Sequence, residues 1–119
     1  MSEKPRIDQA VHVYIENIVP EYRPLFDRIH RLVMSEFPQS ALTLAYKMPT
    51  FKVADRHLYV GVWKHGLSIY GWQQGREAAF IARHPDLKTS RGTIRLGPED
   101  AAGITDTELQ DLIHAALDS

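Results

Sequence analysis

Between Phe37 and Leu42 the spacing of apolar residues changes from the 3.6-residue repeat of a helix to the two-residue repeat of a strand. No other feature limits the fold as much, because it divides the chain into a helical start and a sheet-forming middle. Upstream, Tyr22, Leu25, Phe26, Ile29, Leu32 and Val33 form one continuous stripe over a predicted helix from residue 23 to 36, closed by Pro38. Pro24 fits its first turn, where a backbone amide has no intrahelical acceptor. An earlier helix over residues 7–18 carries Val11, Tyr14, Ile15 and Ile18 and stops at Pro20.

Downstream, residues 42–46 read as a short strand, and Met48-Pro49 as a turn into a second strand containing Phe51. Ala54-Asp55-Arg56 is a further turn. Residues 57–70 form the clearest hairpin, with Leu58, Val60 and Val62 on one face and Tyr59, Gly61 and Trp63 on the other. Lys64-His65-Gly66 turns the chain into the return strand, residues 67–70. A short helix over residues 76–83 and a strand over residues 93–96 follow. Thr105 and Glu108 have the spacing of a capping box, opening a last helix with Leu109, Leu112, Ile113 and Ala116 in its stripe. These pieces predict one α+β domain over residues 1–119, a curved antiparallel sheet covered on one face by helices.

Composition removes several functions. There is no cysteine, which excludes a disulfide framework, a thiolate zinc site and a cysteine nucleophile. The polar start and the lack of a long apolar run predict a cytoplasmic protein without membrane attachment. Charge is segregated along the chain. Residues 41–95 hold nine Lys and Arg against three Asp and Glu, whereas residues 96–119 hold six acids and no base. Either the basic middle meets an anionic partner, or the acidic tail lies against a basic sheet.

Three segments carry a resemblance. Tyr46-Lys47-Met48-Pro49-Thr50-Phe51-Lys52, Gly66-Leu67-Ser68-Ile69-Tyr70 and Lys88-Thr89-Ser90-Arg91-Gly92-Thr93-Ile94 together resemble the YdhG-like family of small bacterial proteins. The resemblance spans nearly the whole chain and implies an α+β fold with a curved antiparallel sheet. One branch of that family is described as a frataxin-like intracellular iron chaperone. Relatives of that kind carry glutamates just before the Tyr-x-Met-Pro segment, where this chain has Gln39-Ser40-Ala41-Leu42-Thr43 and no acid.

Read from the residues themselves, the strongest expectation is a binding surface. Tyr46, Met48, Pro49, Phe51, Tyr59, Trp63 and Tyr70 concentrate large side chains in one window, and helices cover only one face of such a sheet. The second face is then an open groove, or is covered by the tail helix or a second copy of the chain. Lys88, Thr89, Ser90, Arg91, Gly92 and Thr93 offer charge, hydroxyls and a glycine turn, as an anion nest requires. The simpler reading of that stretch is an ordered connection whose hydroxyls cap backbone groups.

The expected function is therefore a small binding protein, not assigned as an enzyme, with an aromatic and basic groove for a small anionic ligand or protein partner. The first alternative is an iron chaperone using Glu99, Asp100, Asp106, Glu108, Asp111 and Asp118. The second is single-stranded nucleic-acid binding, against which stand the near-neutral net charge and the lack of an RNA-binding motif. The six histidines show no i,i+2 or i,i+4 pair, so no metal site is assigned. No nucleophile elbow surrounds Ser68 or Ser90, no catalytic residue is named, and the cofactor is left open.

Overall fold

The computed structural model describes residues 6–7, 9–63, 66–72, 78–90 and 93–118, without the side chains of Arg6, Ile7, Lys88 and Ser90. In chain order the elements are β1 (Arg6–Ile7), α1 (Gln9–Glu16), α2 (Arg23–Glu36), β2 (Ala41–Ala45), β3 (Met48–Val53), β4 (Arg56–Trp63) and β5 (Gly66–Tyr70). They continue as α3 (Ala78–Arg83), β6 (Lys88–Ser90), β7 (Thr93–Leu96), α4 (Pro98–Ala102) and α5 (Asp106–Leu117). The strands make one sheet in the order β1-β2-β3-β4-β5-β7-β6. β1 runs parallel to β2, and every other neighbouring pair is antiparallel.

Alternation sets the faces. Register aligns Leu42, Phe51 and Leu58 in one row, Val60, Ile69 and Ile94 in the next, and Val62, Leu67 and Leu96 in a third. All except the half-buried Val62 are buried, and they join one core with Val11 and Ile15 of α1, Phe26 and Ile29 of α2, Phe80 of α3 and Leu112 and Ile113 of α5. Each such side chain contributes roughly 1.5–3 kcal/mol by leaving water, which fixes the register against a one-residue slip. The helices therefore all pack on the same face. Among the described residues, no helix is long and apolar enough to cross a membrane.

Local chemistry closes the ends. Thr105 Oγ1 accepts from the Glu108 amide at 3.1 Å, and Glu108 Oε1 accepts from the Thr105 amide at 3.1 Å, the predicted capping box. Arg28 of α2 works as a fork. It reaches Asp106 at 2.7 Å and donates to the carbonyls of Ala101 at 3.1 Å and Ile104 at 2.6 Å, tying α2 to the chain that leads into α5. Tyr14 Oη accepts from the Val62 amide at 3.0 Å, beyond the end of the β3–β4 ladder.

Four expectations are corrected. Ile7 is not helical but pairs with Leu42 in β1, and α1 begins at Gln9. Met48-Pro49 is not a turn. Met48 pairs with Ala45 and Pro49 with Leu44 at the start of β3, through a trans bond. The turn is Tyr46-Lys47, with φ of 53° and 63°, the left-handed pair that a two-residue hairpin needs. β6 replaces the expected loop before β7, and α4 is an additional helix opened by the Gly97 amide donating to Asp100 at 2.8 Å. Lys64, His65, Arg76 and Glu77, parts of a predicted turn and helix, lie outside the described residues.

Candidate functional site

The sheet residues that do not face the helices form a second surface. One row is Thr43, Thr50, Tyr59 and Tyr70, aligned by register across β2, β3, β4 and β5, with Thr50 itself fully buried. Beside it, Gly61, Ser68 and Arg95 align across β4, β5 and β7, with Met48 at the β3 end. Lys52 and His57 pair on the far side of the tyrosines. None of the described helices packs on these rows, because their buried residues belong to the opposite core.

The aromatic rings on this face are ordered against one another. Tyr59 and Tyr70 stack with centroids 4.7 Å apart and planes 13° apart, as direct partners on adjacent strands can. His57 also stacks with Tyr59, at 5.7 Å and 15°. Tyr46 tilts over Tyr59 at 5.9 Å and is 79% exposed, although an aromatic ring of its size favours burial. Gly61 makes room for Met48. A Cβ at Gly61 would stand 2.6 Å from Met48 Sδ, and that sulfur accepts from the Tyr70 hydroxyl at 3.9 Å. Burial, then the neighbouring Tyr59 and Tyr46, push the Tyr70 hydroxyl above its ordinary pKa and keep it a donor.

At the end of the face, the Arg95 guanidinium lies 4.9 Å above the Trp63 ring. Beyond this pair opens a cleft of about 570 Å³, lined also by Glu21, Tyr22, Asp86, Glu99 and Asp100. That cleft is acidic, so an anion reaching Arg95 approaches from the tyrosine side.

Charge separates the two layers. Arg23, Arg28, Arg31 and Arg83 of the helices pair with Asp27, Asp106 and Glu108, and His84 bonds to Glu108 at 2.7 Å. Of the acidic tail, Asp106 and Glu108 are thus engaged by arginines of α2 and by Arg83 and His84 of the basic middle, while α5 itself packs against β4, where Arg56 donates to the Ala116 carbonyl at 3.1 Å. Arg28 holds the Asp106 carboxyl below the ordinary range, and the Thr105 amide and His84 do the same for Glu108. Among the described residues, Lys47, Lys52 and Arg95 form no ion pair, and no carboxylate stands in the rows of the open face.

Of the predicted site residues, Tyr46, Met48, Tyr59 and Tyr70 come together, and Trp63 stands at the end of the same face. Pro49 and Phe51 do not join them. Both are buried on the helix side, and Phe51 stacks with Phe26 at 6.5 Å and meets His30 at 5.6 Å. Lys88, Thr89 and Ser90 form edge strand β6, their backbones paired with Arg95, Ile94 and Thr93. Arg91 and Gly92, and with them the nest expected there, lie outside the described residues. Sequence reasoning missed His57, Lys52 and Arg95. The two-residue repeat from Tyr59 points to His57, but only the β5–β7 register brings Arg95 to this face.

Among the described residues, no three His, Asp or Glu side chains gather as a metal site. No family profile, no curated protein and no solved structure matches this chain.

Proposed function

We propose that this is a binding protein whose open sheet face takes a ligand with a planar ring and a negative charge. One observation carries the reading. The fold neutralises its helical arginines with carboxylates, yet among the described residues Lys47, Lys52 and Arg95 make no ion pair beside stacked tyrosines. Such a surface supplies ring contacts, phenolic donors and cationic side chains at once. Kinship with YdhG-like proteins is proposed on the three motifs alone. Its iron-chaperone branch draws no support from Asp106 and Glu108, which are engaged by Arg28 and His84.

Calorimetric titration with 4-nitrophenyl phosphate tests the reading with a minimal planar anion. Saturable binding is expected, weakened about tenfold or more in Tyr59→Ala and in Arg95→Ala, one lost contact of ~1.4 kcal/mol each. Absence of binding, or binding by both variants as tight as the wild type's, would contradict it.

A further inference from the structure

The placement of the unpaired cations says more about the ligand than their number. Lys52 lies on β3 opposite His57, whereas Arg95 lies on β7 at the level of Ser68 and Gly61. Three strand spacings and four residues separate them, about 14 Å across and about 13 Å along, or roughly 20 Å between backbones. Lys47 stands in the β2–β3 turn next to the Ala45–Met48 pair, about 14 Å across the sheet from Arg95. A single phosphate reaches one of these cations and leaves the other two unused.

The rings stand beside these cations. Tyr46 adjoins Lys47 in the turn and reaches Tyr59, which stacks on Tyr70, and Trp63 sits under Arg95. Tyr59 already contacts the rings of His57, Tyr70 and Tyr46, whereas Tyr46, at 79% exposure, is the ring most available to an incoming partner. Its backbone reinforces the point. Tyr46 and Lys47 hold adjacent left-handed conformations that asparagine and glycine adopt at much lower cost. Non-glycine residues kept in such conformations concentrate where a side chain is needed for contact.

We infer that the open sheet face binds a single-stranded oligonucleotide. Its backbone spans Lys47, Lys52 and Arg95, and at least one of its bases stacks on Tyr46. This deepens the proposed function and rests on it, replacing a single planar anion by a chain of them. Aromatic platforms bordered by cations suit single strands, since every base has a stacking face and every phosphate a charge. The near-neutral net charge is no obstacle, because the acids that cancel it in α5 are held on the helix side.

Fluorescence anisotropy with a labelled dodecathymidylate, beside a competition series with thymidine monophosphate, tests this at about 25 mM salt. The dodecamer is expected to bind at least about a hundredfold more tightly than the mononucleotide, as two or more added contacts of about tenfold each require. The log–log salt dependence should have a slope near −2 for three neutralised phosphates, falling by about 0.7 in Arg95→Ala. Tyr46→Ala should weaken binding about tenfold, while Tyr46→Phe, which keeps the ring, should bind as the wild type does. Equal affinity for mononucleotide and dodecamer would overturn the inference and leave the small-ligand reading standing. No binding of either would overturn both. Dodecamer binding unchanged in Tyr46→Ala and Arg95→Ala would place the strand elsewhere and also overturn it.

Discussion

Leu58 and Val60 of β4 are buried among helix residues, while Tyr59 between them faces away from every described helix. The contrast extends across the sheet. On one side, apolar rows meet α1, α2 and α5 and each arginine finds a carboxylate or a carbonyl. On the other, rings stack on one another and, among the described residues, the cations make no ion pair, Arg95 lying over the Trp63 ring. The two faces share strands, register and backbone, so the fold itself does not require this difference. Stability is built into one face, and the second is free to carry contacts that serve something outside the chain.

The largest test of that division compares two aromatic residues eight positions apart. Phe51→Ala should cost about 3–5 kcal/mol, because a buried ring leaves a cavity beneath α2. Tyr59→Ala should cost no more than about 1.5 kcal/mol, the scale of its ring contacts. Urea denaturation of both variants measures this, and equal losses would mean that the second face is also a core.

A smaller effect belongs to Arg28. Arg28→Ala removes the donor to the Ile104 carbonyl and leaves the Ala101 carbonyl to the Ile104 amide and Asp106 to Arg31, and should cost about 1–3 kcal/mol by the same measurement. The corresponding change on the open side, Arg95→Ala, should leave the denaturation midpoint nearly unmoved, since among the described residues the contact of its guanidinium is with the Trp63 ring and not with a carboxylate.

The turn should respond in the opposite direction. Replacing Tyr46 by asparagine and Lys47 by glycine relieves two left-handed residues and should raise stability by about 1 kcal/mol. The same double change should weaken ligand binding. A loss of stability would show that Tyr46 serves the fold and not the surface.

The smallest effect is a pH dependence confined to the helical layer. Glu36 at 2.7 Å, and then Asp118, hold the His114 imidazole above its ordinary pKa, against the opposing effect of burial. Raised on folding, this group contributes its stability fully below about pH 6.5 and loses it as pH rises through the raised value. His30 has the other sign, because burial lowers it, and its contribution is lost as pH falls below about 6.5. Thermal melts from acid to mildly alkaline pH should therefore show a decline on the alkaline side that disappears in His114→Gln. A decline that persists in the variant would remove His114 as its source.

The helices with apolar stripes, α2 and α5, and the hairpin of β4 and β5 are legible in the sequence because burial writes a strong period into them. β6 is not, since Lys-Thr-Ser has no alternation and becomes a strand only by pairing with β7. The Tyr46-Lys47 turn is hidden for a related reason. The residues that announce a left-handed hairpin are glycine and asparagine, and neither is present there. For the candidate site, period two separates Tyr59 from Leu58. It cannot show that Phe51 falls on the core side, because the Met48-Pro49 pair disguises where β3 begins. Arg95 is equally out of reach, as its place depends on β7 pairing with β5 and not on any local pattern.

The central claim, that ligand contact and stability occupy opposite faces of one sheet, is most directly tested by amide chemical-shift mapping of the labelled protein with the dodecathymidylate. Shifts are expected in residues 43–48, 57–63, 66–70 and 93–95, with α2 and α5 unmoved. Shifts concentrated in α2 and α5 instead would contradict the account and place the functional surface on the helical layer.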